Sequence, residues 1–156
     1  MIRDSIEIDR TPEEVFAYLD DLSRHGEWQQ QIIDVKLETE GPTRVGSRAT
    51  ETRRVPGGPK SFTYEITEHD PPRRASFRGL NGPLRPCGTV TLSPLDGGTR
   101  TRYTLEFFFE THGIGKLLVL LANRDAKKQI AKDMQLFKQK LEAGAASAPA
   151  PEPPRP

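Results

Sequence analysis

An α+β domain is predicted for this chain of 156 residues, with a curved antiparallel sheet of about six to seven strands around one long C-terminal helix. Three observations predict it. Between Ile33 and Phe107 the apolar residues recur with a period of two, in segments divided by Gly- and Pro-containing turns. From about Gly113 to Ala143 proline and β-turn signals vanish, and Ile130, Met134, Phe137 and Leu141 fall on one helical stripe. Ahead of both lies a first strand followed by two short helical segments.

Ser5-Ile6-Glu7-Ile8-Asp9 alternates polar and apolar, as a half-buried strand does. Thr11-Pro12-Glu13-Glu14 opens a helix: Thr11 can cap, Pro12 suits the first helical position, and the carboxylates face the positive end of the dipole. Val15, Phe16 and Leu19 give it an apolar face, and Leu22 to Gln29 forms a second short helix ending near Trp28. Strands follow at Ile33–Leu37, Val45–Val55, Phe62–Thr67, Ala75–Arg78, Thr89–Leu92 and Thr101–Phe107. Their separators are Gly41-Pro42, Pro56-Gly57-Gly58-Pro59, Asp70-Pro71-Pro72, Asn81-Gly82-Pro83 and Asp96-Gly97-Gly98. Short turns between successive strands imply an antiparallel meander. The final helix, roughly thirty residues or about 45 Å long, needs a long surface for its stripe, and the sheet is the one available. Gly144 is placed to cap its end.

Composition narrows the function classes. Twenty-three basic against 22 acidic residues give a net charge of +1, without the basic excess of a nucleic-acid binder. The longest apolar run, Leu117 to Ala122, is too short to span a bilayer, and the first residues enter a strand with no apolar signal core, so a cytoplasmic location is expected. Cys87 is the single cysteine, and no two histidines have metal-ligand spacing, so neither metal nor cofactor is expected. Residues 1–143 form the domain; 144–156, with five prolines in thirteen positions, read as a disordered Ala/Pro-rich tail. Gly113-Ile114-Gly115-Lys116 lacks the spacing of a phosphate loop and serves as a hinge into the helix.

The segments Ser5 to Phe16, Trp28, Thr67 to Arg74 and Asp96 to Arg100 together resemble the START-like (SRPBCC) superfamily, over residues 1–143. This is the helix-grip fold shared by Bet v 1-type proteins, lipid-transfer domains and the polyketide cyclase/dehydrase group. The resemblance implies a hydrophobic ligand held in a cavity between sheet and helix, with no shared catalytic signature. Trp28 resembles the family's cavity-lining tryptophan, and the family register turns Ala49, Glu51 and Arg53 inward.

Alternation sorts the remaining cavity candidates. Phe62, Tyr64 and Ile66 share a face, as do Ala75 and Phe77, Val90 and Leu92, and Thr101, Tyr103, Leu105 and Phe107; the helix adds Leu118, Ala122, Ala126 and Ile130. Taken singly, each reads first as plain core, the preferred reading, and otherwise as the wall of an aromatic-lined pocket. Glu51 and Arg53 read either as a solvated edge strand, the preferred reading, or as an inward clamp or acid-base pair. His25 beside Glu27 is an exposed pair or a proton shuttle. Leu117 to Leu121 is apolar all round, fitting a cap under neighbouring loops, a pocket lid, a homodimer contact or a membrane-surface contact. Lys127, Lys128, Lys132, Lys138 and Lys140 form the helix's solvated face.

Three functions follow. The first is binding of a small hydrophobic ligand, whether polyketide-like, aromatic or lipid. The second is a polyketide cyclase or dehydratase, a lyase- or isomerase-type enzyme using Glu51, Arg53, His25, Tyr64 or Tyr103. The third is a protein-interaction module.

Overall fold

The computed structural model of the chain describes residues 1–144. Seven strands form one antiparallel sheet: β1 (Ile2–Ile8), β2 (Ile32–Leu37), β3 (Arg48–Val55), β4 (Gly58–Asp70), β5 (Arg74–Gly79), β6 (Leu84–Leu95) and β7 (Arg100–Thr111). Two helices complete it, α1 (Pro12–Asp20) and α2 (Gly115–Glu142), with a 3-10 turn at Leu22–Glu27. The predicted tail lies outside the described residues, Gly144 excepted. Gly144 closes α2, its N–H donating to the Leu141 carbonyl at 2.9 Å.

The order across the sheet is β1-β7-β6-β5-β4-β3-β2. Strands β2 to β7 are a meander, and the first strand returns to pair with the last. The strands run longer than the alternating segments suggest, because polar ends such as Arg85 and Glu110 stay in register opposite one another. The turn between β3 and β4 shows how local sequence fixes register. Pro56 supplies the fixed φ of the first turn position, and Gly57 takes φ 94°, which a side chain would resist. One expectation is overturned here. The segment ending at Val55 is no edge strand: β3 pairs with β2 on one side and β4 on the other.

The N-terminus of α1 forms as read. Thr11 Oγ1 accepts from the Glu14 N–H at 3.3 Å, and Pro12 sits in the first turn. Asp20 at its end is tied to β4 by His69 at 2.8 Å, whose ring also meets Phe16 edge-on. Burial pushes the Asp20 carboxyl up, against the pull of His69. His69 thus belongs to β4 and not to the turn after it.

Helix α2 lies against β1, β7 and β6. Its C-terminal half is anchored by Phe137, fully buried, whose ring touches Tyr18, Trp28 and Tyr103 at 5.3, 4.8 and 5.4 Å between centroids. Ile8, Val15, Leu92, Met134 and Leu141 close this core. A smaller core of Leu22, Ala49, Tyr64 and Ile66 sits under the 3-10 turn. The start of α2 is fixed by the β5–β6 loop: a Cβ on Gly115 would collide with the Pro83 carbonyl, and the same carbonyl accepts from the His112 N–H at 2.8 Å. Beyond this start, Leu117, Leu118, Leu120 and Leu121 are exposed. The expected cap under neighbouring loops is therefore not formed among the described residues.

Candidate functional site

The grip is solid at one end and slack at the other. Continuing the Phe137 face of α2 toward its start at about 100° per residue brings up Val119, Ala122, Asn123 and Ala126, all half-buried. Three of these side chains are small or short where the other half of the helix carries Met134, Phe137 and Leu141. Opposite them, on the concave face that Tyr64 and Tyr103 share by alternation, Phe62, Phe77, Val90, Leu105, Phe107 and Phe109 are also only half-buried. Half-burial of both sets means that the sheet and the first half of α2 do not bury each other as they do at the Phe137 end. Leu118 falls about 100° off the inward stripe, away from the place expected for it. Two surface grooves of about 370 and 400 Å³ lie elsewhere, and neither is lined by Trp28, Glu51, Arg53 or Tyr64.

Between solid and slack ends sits a group of polar side chains. Because β3 is paired on both sides, its inward residues Ala49, Glu51 and Arg53 have no edge through which to reach water. Glu51 is 7% exposed, so the solvated reading of this strand is overturned. Arg53 Nη1 donates to Glu51 Oε1 at 2.7 Å and to Gln29 Oε1 at 2.9 Å. A spacing of two on a strand puts both groups on one face, which is why they pair. Glu51 stands opposite Phe62, and Ala49 opposite Tyr64.

Two buried polar atoms in this region have no hydrogen-bond partner among the described residues: Trp28 Nε1 and Tyr64 Oη. Trp28 is held by position as the residue closing the 3-10 turn, and by its rings against Phe137 and His25. Tyr64 packs edge-on against Phe77 at 5.8 Å. Burial, with the Glu51 charge adding, pushes the Tyr64 hydroxyl far up, so it stays a neutral donor and acceptor. Leaving such an atom unpartnered in a folded core costs about 1–3 kcal/mol.

Asp133, on the flank of the α2 stripe, completes the group. It is 6% exposed and accepts the Gln30 backbone N–H at 3.3 Å. Burial pushes its carboxyl up to about 6, against the pull of the Gln30 N–H and of Arg53. Sequence reasoning missed this residue, although the signal was there: a carboxylate one place before Met134 and four before Phe137 lies beside the buried stripe. Gln29 and Gln30 were missed as well, because a glutamine run carries no such pattern.

The other candidates are placed as follows. His25 does not meet Glu27; its Nε2 lies 2.7 Å from the Leu19 carbonyl oxygen, and burial holds the imidazole below its usual range. Glu27 takes Arg24 and the Tyr18 hydroxyl instead, and the arginine holds its carboxyl low. Ile66 packs under Leu22, and Tyr103 packs on Phe137. Burial raises the Tyr103 phenol, and the Asp133 charge adds to it. Val90 and Leu105 pack against the main core, Phe77 against the smaller one. Among the described residues no three His, Cys, Asp or Glu side chains come together as a metal site. Among the described residues no helix is long and apolar enough to cross a membrane.

Comparison with known proteins gives the same architecture. The family described as polyketide cyclase / dehydrase and lipid transport matches residues 2–142. No curated protein matches the chain in sequence. Among solved structures, the Zhui aromatase/cyclase from a Streptomyces species is 15% identical, with a TM-score of 0.77 over 92% of this chain and 94% of that one. A START superfamily protein from Mycobacterium smegmatis is 13% identical, with a TM-score of 0.71 over 90% and 97%. Ara h 8.0201 is 16% identical, with a TM-score of 0.69 over 92% and 97%. At such identities these likenesses establish the fold, the START-like helix grip.

Proposed function

The chain belongs to the polyketide cyclase/dehydrase and lipid transport family, and from that membership and the cleft geometry we propose that it binds a small, flat, largely apolar molecule carrying at least one hydrogen-bond acceptor. The observation that carries this reading is the pair of orphaned atoms, Trp28 Nε1 and Tyr64 Oη. An indole N–H can only donate, so its partner is a carbonyl, ether or hydroxyl oxygen. The phenol accepts or donates. Tyr64 feels the charges of Glu51 and Arg53, and Trp28 adjoins Gln29, which accepts from Arg53. The Glu51–Arg53 pair offers a charged contact to a polar end, while Phe62, Phe77 and Leu105, together with Val90 and Ala122, supply apolar wall. Ligand sites of this kind are mostly apolar with a few placed polar groups.

A second reading, catalysis, is favoured by one specific observation. Asp133 is poised at about 6, near enough to neutrality to exchange a proton at working pH. A cyclase or dehydratase holding a reactive chain in that cleft gains from orientation first and from such an acid-base group second. The Zhui aromatase/cyclase shares this fold, which is in keeping with this reading.

Native mass spectrometry of the purified chain tests the first reading, together with titration of Trp28 fluorescence by flat aromatic and acyl compounds. A one-to-one complex is expected. Tyr64→Phe, read by fluorescence, and Trp28→Phe, read by native mass spectrometry because it removes the single tryptophan, should each weaken it about five- to tenfold. Absence of any bound or binding compound, or affinity indifferent to both substitutions, overturns the reading. Turnover lost in Asp133→Asn while binding persists selects the catalytic one.

A further inference from the structure

The outer side of the first half of α2 carries leucines that no described element covers. Leu117, Leu120 and Leu121 are 81%, 76% and 70% exposed. At 100° per residue they share an arc of about 120° with Arg124, Lys127 and Lys128, on the far side of the helix from Val119 and Ala126. These three cations are exposed, and among the described residues none of them is in an ion pair. Between Lys116 and Lys132 the single acid is Asp125, which lies off the arc and accepts from the Gln31 side-chain amide at 3.3 Å. In a chain of net charge +1 this is a local excess of positive charge directly behind an apolar tip. The tip is held in place, because Gly115 and His112 lock the helix start onto Pro83.

We propose that this face docks on an anionic lipid surface, with Leu117, Leu120 and Leu121 entering the boundary between headgroups and acyl chains and Arg124, Lys127 and Lys128 resting on the phosphates. An exposed apolar cluster needs an apolar phase and unpaired cations need anions, and an anionic bilayer presents both in one plane. A second copy of the chain fits the same face less well. A two-fold contact would bring the cations of both copies together with no acid on the arc to pair them. The inference stands apart from the ligand reading, since none of these side chains faces the cleft.

Flotation of the full chain with vesicles tests it, comparing phosphatidylcholine alone with phosphatidylcholine containing about 30% phosphatidylglycerol. Binding is expected to the anionic vesicles at about 0.1 M salt and to fall sharply at about 0.5 M. Leu117→Ser with Leu121→Ser should lower partitioning at least about tenfold, and Lys127→Glu with Lys128→Glu by a similar factor. Melting temperature and circular dichroism should match the parent protein, because all four residues are exposed. Three results overturn the proposal: no binding to anionic vesicles, binding that survives both double substitutions, or a sedimenting dimer that the leucine substitutions convert to monomer.

Discussion

Replacing Asp133 by asparagine should stabilise the protein above neutral pH and leave it unchanged in acid. The carboxyl is buried within electrostatic reach of Glu51 and Arg53, and burial pushes it up to about 6 from the ordinary 3.8 of an unfolded aspartate. Below 3.8 both folded and unfolded chains carry the proton, and the group makes no difference. As pH rises from 3.8 toward 6 the unfolded chain releases its proton and the folded chain does not, so the folded state loses stability. Above about 6 both are ionised, and the loss reaches its plateau. The gap between the two values corresponds to about 3 kcal/mol at most. A denatured chain that partly shelters the residue reduces this, so about 1–3 kcal/mol is expected. Asparagine keeps an acceptor for the Gln30 N–H and removes the charge. Urea unfolding followed by Trp28 fluorescence, at a series of pH values from about 3.5 to 8, measures the difference between the two proteins. It should be near zero in acid, open between about pH 4 and 6, and level off beyond. An Asp133→Asn protein no more stable than its parent at about pH 7.5, or a difference that ignores pH, would refute the idea that burial of a charge dominates this site.

Arg53→Ala leaves Glu51 buried without its cation and should destabilise by about 3 kcal/mol; adding Glu51→Gln in the same chain should recover most of that in a chemical melt. Phe137→Ala empties the hub shared by Tyr18, Trp28 and Tyr103 and should lower stability by about 3–5 kcal/mol, read by denaturant midpoint at unchanged slope. Tyr64→Phe removes a buried hydroxyl that has no partner among the described residues, so the ligand-free protein should melt no lower, and up to about 1 kcal/mol more stably. Thr11→Ala deletes the α1 cap and should cost about 1 kcal/mol in the same assay.

Local patterns in the chain determined most of the architecture. Period-two segments gave the strands, Pro56-Gly57 a turn, Thr11-Pro12 a helix start, and the stripe from Ile130 to Leu141 the long helix and its inner face. Each signal is short-range, set by backbone sterics or by repeat spacing, and survives without knowledge of neighbours. The faces of the strands were equally legible, since alternation alone put Tyr64 with Phe62 and Tyr103 with Leu105. What the sequence could not supply was rank within the sheet. Arg48, Glu51, Arg53 and Arg54 look solvated as a string, yet pairing of β3 with both β2 and β4 removes water from its inner side and forces Glu51 onto Arg53. The place of Asp133 beside the stripe was legible, but its burial was hidden for the same reason: whether such a carboxylate is wet or dry depends on the segment that lands over it, here the one carrying Gln30, about a hundred residues away. Burial of charge is a property of long-range packing, so the fold could be read from the chain, whereas the polar site appeared only once the sheet and helix had closed on each other.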